Sequence, residues 1–120
     1  MQRKMTFEEF KYHVMIGSDT EIDRDILNGI TALSGKWKLQ ILYFLLLSSS
    51  ARFNNIKRFL GTITSRQLII ELRQLEVDGF IQKSINEESP EIREYVLLDK
   101  GKDLIYLFYD YMNWSFAYSH

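Results

Sequence analysis

Residues 64–81 read Thr64-Ser65-Arg66-Gln67-Leu68-Ile69-Ile70-Glu71-Leu72-Arg73-Gln74-Leu75-Glu76-Val77-Asp78-Gly79-Phe80-Ile81, and this stretch decides the fold. Thr64 and Gln67 stand at the T-x-x-Q spacing of a capping box, where a hydroxyl meets a backbone N–H that the first helical turn leaves without a partner. Leu68, Leu72 and Leu75 then recur at helical intervals and predict a buried stripe. Asp78-Gly79 supplies the stop, and residues 80–85 read as a strand.

Working outward, Phe53, Ile56, Phe59 and Leu60 predict a short amphipathic helix over 53–60. Gly61 ends it, and Thr62-Ile63 connects it to the capped helix, so two helices are joined by about three residues, as a bihelical DNA-reading unit requires. Downstream, residues 92–98 predict a second strand, joined to the first by a polar loop that holds the only proline, Pro90. Asp99 is expected to cap a last helix running to about residue 118.

Upstream, residues 36–47 are apolar on nearly every side, which predicts a central helix buried all round, closed by the polar loop Ser48-Ser49-Ser50. Thr6 and Glu9 form another capping-box pair, with Phe7, Phe10 and Val14 at helical intervals and a stop near Gly17. A second helix is expected from around residues 21–23, whose acids suit the positive end of a helix dipole, to Leu33. The expected fold is mainly α with a small antiparallel β-hairpin (α+β): a winged helix-turn-helix forming one domain over residues 1–120. Its DNA-binding core spans about 23–98, and helices at about 6–16 and 99–118 serve dimerisation.

Composition narrows the function. The chain has 120 residues, 46% hydrophobic and 26% charged, enough for one packed core. It has no cysteine, which removes disulfides, thiolate metal sites, cysteine nucleophiles and thiol sensing together. His13 and His120 cannot build a histidine-rich metal site. There is no paired Glu-x-x-His, no glycine-rich phosphate loop and no nucleophile elbow, so neither an enzyme nor a cofactor is expected. The longest apolar run, 41–47, is far below a membrane span, and the expected setting is cytoplasmic.

The formal net charge of −1 hides a gradient. Residues 1–34 hold four Lys/Arg against six Asp/Glu, net −2; residues 35–83 hold eight against three, net +5; residues 84–120 hold three against seven, net −4. A basic middle between acidic ends fits one face meeting phosphate.

These residues resemble the HxlR family of bacterial winged-helix transcriptional regulators, a branch close to MarR-type proteins. The matching stretches are Gly35-Lys36-Trp37-Lys38 with Ile41-Leu42, Arg52-Phe53-Asn54-Asn55-Ile56, Ile63-Thr64-Ser65, residues 72–81, Glu94-Tyr95, Leu97 and Gly101. They span roughly residues 26–104. The resemblance implies a homodimer that binds a palindromic operator in double-stranded DNA, with a small-molecule effector left open. Family members that sense oxidants carry a cysteine at a place falling at about Arg24 here, so the resemblance implies that this chain does not sense by that route.

Thr64 and Ser65 open the expected recognition helix; Arg66 suits guanine O6 and N7, and Gln67 suits adenine N6 and N7. One of Ile69 and Ile70 is expected to pack inward and the other to meet a thymine methyl. Arg52, Lys57 and Arg58 are placed for phosphates, with Lys36 and Arg73 as further cations, and Arg93 with Lys83 across the hairpin puts charge on the wing. Trp37 is expected in the core. Glu71 is the exception: it either faces phosphate and repels it, points into solvent, or pairs with Arg73 or another cation. Tyr106, Phe108, Tyr109, Tyr111, Trp114, Phe116 and Tyr118 crowd the last helix, more than one small domain can cover. Some face of this helix, with Phe7, Phe10 and Val14, is expected to form a dimer seam, the rival being a ligand pocket. Glu71, the acidic wing and a sequence pI near 6.1 keep a second reading open, a winged-helix protein-interaction module that has lost operator binding.

Overall fold

The computed structural model describes residues 5–17, 19–85, 87–89 and 92–119. The chain divides into two compact units, Met1–Ser34 and Gly35–His120.

The first unit holds α1 (Phe7–Ile16) and α2 (Thr20–Ala32). Thr6 caps α1 as its spacing predicts, its Oγ1 accepting from the Glu9 N–H at 3.2 Å, and Gly17 ends the helix in the left-handed region at φ 63°. The cap of α2 is Asp19, whose Oδ1 accepts from the N–H groups of Glu21 and Ile22, so α2 starts a little earlier than the acids at 21–23 suggest. His13 is buried. Its Nδ1 accepts from the Asp19 N–H at 3.1 Å, which leaves the ring proton on Nε2 to be donated to Asp23 Oδ1 at 2.8 Å. One imidazole thereby fastens α1 to both the cap and the first turn of α2. Phe7, Val14 and Met15 on α1, and Ile26, Leu27 and Ile30 on α2, remain exposed.

The second unit runs α3 (Lys38–Ser48), β1 (Ser50–Ala51), α4 (Phe53–Leu60), α5 (Ser65–Val77), β2 (Ile81–Ile85), β3 (Arg93–Leu97), α6 (Asp99–Lys102) and α7 (Ile105–Ser119). Its core is built from Ile41, Leu42 and Leu45 of α3, Ile56 and Leu60 of α4, Leu68, Leu72 and Leu75 of α5, and Ile81, Tyr95 and Leu97 of the sheet. Each fully buried aliphatic side chain contributes about 1.5–3 kcal/mol.

Four expectations change here. The sheet is three-stranded, in order β1-β3-β2, all antiparallel: Ser49 turns the chain at φ 66°, and Ser50 and Ala51 pair with Val96 and Tyr95, where a plain loop was expected. Helix α3 is not buried all round. Ile41, Leu42 and Leu45 face the core while Tyr43 and Leu47 stay exposed, because the unit covers only one side of it. Trp37 is half-buried, with the Lys36 ammonium 4.6 Å from its ring centroid. Asp99 is the first residue of α6, whose N-cap is Leu98 with no side-chain cap bond, and the expected single last helix is broken between Lys102 and Ile105.

The exit of α5 is closed by Gly79 at φ 81°. The Gly79 N–H donates to the Glu76 carbonyl at 3.1 Å and the Phe80 N–H to the Leu75 carbonyl at 3.0 Å, the bonding of a Schellman stop. The Phe80 carbonyl in turn accepts from the Leu98 N–H at 2.9 Å. A Cβ on Gly101 would fall 2.6 Å from that same oxygen, so α6 sits here only because residue 101 has no side chain. Lys100 completes the joint, donating to the Asp78 carbonyl at 2.7 Å with its ammonium 4.4 Å from the Phe80 ring centroid.

Candidate nucleic-acid interface

Helix α5 begins at Thr64, whose Oγ1 accepts from the Gln67 N–H at 3.1 Å, so the first half of the predicted capping box forms. The Gln67 side chain does not return to the cap. Its Nε2 donates to Glu71 Oε1 at 3.2 Å.

Leu68, Glu71, Leu72 and Leu75 face inward. The opposite side, with Ser65, Arg66, Ile69, Ile70, Arg73 and Gln74, is exposed. Ile69 and Ile70 are 42% and 39% exposed, so neither packs inward as expected for one of them. The inward stripe at 68, 71, 72 and 75 already fills the space beneath the helix, and both isoleucines are left outside it.

Glu71 is only 6% exposed and therefore faces neither phosphate nor solvent, and its partner is Lys38. The Lys38 ammonium lies 3.1 Å from Oε2 and 3.4 Å from Oε1, and Lys38 itself is 8% exposed. Burial of either charge alone is costly, so each is tolerated because of the other. The pair also takes one cation and one anion out of the basic middle together, leaving its surplus of +5 unchanged.

Helix α4 presents Arg58, with Arg52 at its N-cap; both are exposed, and Lys57 is half-buried. The turn between α4 and α5 is closed by the Gly61 N–H donating to the Lys57 carbonyl at 3.0 Å, and Ile63 plugs it into the core. Lys36 is exposed beside Trp37. On the wing, Lys83 pairs in register with Tyr95 and Arg93 with Ile85. The two cations therefore lie across the hairpin from each other, diagonal on one face, and the Lys83 ammonium lies 5.6 Å from the Tyr95 ring centroid. Glu87 and Glu88 are exposed near its tip.

The residues expected at a dimer seam divide. Phe7 and Val14 are exposed and Phe10 is half-buried against His13. Helix α7 has no buried residue: Tyr106, Tyr109, Tyr111, Trp114, Phe116 and Tyr118 are all exposed. Tyr111, Trp114 and Tyr118 follow one another with ring centroids 5.8 and 5.9 Å apart. Phe108 instead meets Tyr43 of its own chain at 5.3 Å, and these two rings border an apolar groove of about 640 Å³ between α3, Phe59 and α7. Among the described residues, no cluster of His, Asp and Glu is fit to hold a metal ion, and no helix is long and apolar enough to cross a membrane.

A short helix, a tight turn, a capped helix with an exposed outer face and a hairpin wing define a winged helix-turn-helix protein. The chain belongs to the HxlR-like helix-turn-helix family, whose model matches residues 32–120, and is a transcriptional regulator of this MarR-like type. It is 32% identical over 111 residues to an uncharacterized HTH-type transcriptional regulator of Halalkalibacterium halodurans, covering 92% of this chain and 95% of the relative. It is 34% identical over 88 residues to the regulator YdzF of Bacillus subtilis, covering 73% and 81%. Among solved structures, the redox regulator HypR in its reduced form superposes with a TM-score of 0.70 at 28% identity, covering 78% of this chain and 91% of HypR. A MarR-family regulator of Enterococcus faecalis superposes with a TM-score of 0.69 at 26% identity, covering 87% and 92%.

The sequence reading left a cation partner for Glu71 open without naming Lys38, and missed the contact of Gln67 with Glu71. Lys38 and Glu71 are 33 residues apart, so no local pattern joins them. A trace did exist, because position 71 falls on the same helical stripe as Leu68, Leu72 and Leu75.

Proposed function

We propose that the chain binds a palindromic operator as a homodimer, with α5 of each protomer entering a major groove and the half-sites one helical turn apart or a multiple of it. The observation that carries this is the outer face of α5, where Arg66 and Arg73 flank Ile69 and Ile70 on the side opposite the core. Arginine reads guanine O6 and N7 with two donors, and an exposed aliphatic side chain is the complement of a thymine methyl.

Arg52, Lys57 and Arg58 set the register on phosphates, joined by Lys36, while Lys83 and Arg93 bring the wing to the adjacent backbone or minor groove. The dimer seam draws on the exposed aromatics of α7 and on Phe7, Phe10 and Val14 of α1. A helix of 15 residues without a buried side chain of its own is apolar surface in search of a cover. The interaction-module alternative loses one of its three supports, since the Glu71 carboxylate is occupied by Lys38, and keeps the acidic wing and the low pI.

The test is gel retardation with DNA from upstream of the chain's own gene and its neighbour, at two salt concentrations. Retardation that survives competitor DNA and weakens with salt supports the operator reading; indifference to every DNA tried favours the interaction module.

A further inference from the structure

We propose that Glu71, held in place by Lys38, fixes which way round the Gln67 carboxamide points, and so makes Gln67 a reader of adenine against guanine. This rests on the proposed entry of α5 into the major groove.

The geometry has three links. Lys38 contacts both oxygens of Glu71, Gln67 Nε2 donates to Glu71 Oε1, and the Gln67 backbone N–H is tied to Thr64 Oγ1. A carboxylate only accepts hydrogen bonds. A carboxamide turned the other way would set its own oxygen against that charge, so the nitrogen must face Glu71 and the oxygen must lie away from it. Lys38 makes the arrangement durable, because a carboxylate this buried persists beside a cation and not alone.

Gln67 is half-buried, and its neighbours Ser65 and Arg66 are exposed. One N–H is committed to Glu71; what remains of the carboxamide is one acceptor and one donor in a fixed order. Adenine offers N6–H and N7 to the major groove, a donor and an acceptor, and matches that edge. Guanine offers two acceptors, O6 and N7, and sets O6 against the Gln67 oxygen. A carboxamide free to turn would present its nitrogen to guanine instead. Glu71 never touches the base in this scheme; it is a positioning residue acting through Gln67.

The experiment selects duplexes from a random pool with the wild-type chain, then titrates the selected duplex and its single-base variants. Wild type should prefer adenine over guanine about tenfold at one position in each half-site. Gln67→Ala should abolish that preference and leave the other positions alone. Glu71→Gln offers Gln67 a partner that donates as well as accepts, so the preference at that position should fall to about twofold, again with the other positions unchanged. Because Glu71→Gln strands a buried ammonium, Lys38→Met/Glu71→Gln repeats the test without it. An unchanged preference in both Glu71 variants, or a Gln67→Ala chain with every preference intact, overturns the inference while leaving DNA binding standing. A wild-type chain that draws no sequence from the pool overturns the DNA-binding reading and this inference with it.

Discussion

Lys38 at the start of α3 and Glu71 in the middle of α5 form a buried ion pair, Nζ to Oε2 at 3.1 Å, and this is the one charged contact that ties the central helix to α5 among the described residues. Its energetics are lopsided. Forming the pair offsets two desolvation costs and gains little beyond that; breaking it leaves one charge in the core.

Lys38→Met or Glu71→Leu alone should therefore destabilise the fold by about 3–5 kcal/mol, and the double variant should cost far less than the sum. Urea unfolding of all four chains at one protein concentration checks this. Additive losses would mean that the two residues do not depend on each other.

The outer face of α5 and the cations of α4 should separate in their response to sequence and salt. Arg66→Ala should weaken binding to the selected operator by about 1–3 kcal/mol and relax preference at one base pair in each half-site. Arg58→Ala should weaken binding to every DNA alike and lower the slope of log K against log salt by about 1. Anisotropy titrations against operator and scrambled duplexes at several salt concentrations measure both effects.

HypR, a structural relative, is described as a redox regulator; this chain carries no cysteine. Diamide, which oxidises thiols, should leave its DNA binding unchanged. Slow loss under peroxide would point to methionine oxidation, with exposed Met15 or Met112 as targets. A rapid release by diamide in the purified chain would contradict the expectation.

Much of the fold was legible because its signals are local. The capping residues Thr6 and Thr64, the stops at Gly17, Gly61 and Gly79, and the Leu68/Leu72/Leu75 stripe each act within one or two helical turns, and all stand as read. What was not legible depends on distant partners. Ser50–Ala51 is a strand only because β3 lies beside it. Tyr43 and Leu47 look like core in a run of apolar residues, and only the number of elements packed around α3 decides that they are not. Glu71 belongs to the core through a lysine 33 residues away. The residues proposed to meet DNA were read from helix position and charge, and their roles rest on the titrations above.

Phe108 aside, the aromatics of α7 should bind a second copy of the chain. Sedimentation at micromolar concentration should give a dimer, and removal of residues 104–120 should give monomers or aggregates. A soluble, stable monomer of the full chain would refute the seam.

The absence of any buried side chain on α7 reaches beyond geometry to mass action. Fifteen residues of helix are marginal in water by themselves, so the order of this segment has to be borrowed from whatever covers it. If the cover is a second copy, folding and association become one equilibrium, and the thermal midpoint climbs with protein concentration. Dilution then acts on the regulator as a mild denaturant. The amount of the protein present would set not only how many operators are occupied but how much of each chain is folded well enough to occupy them.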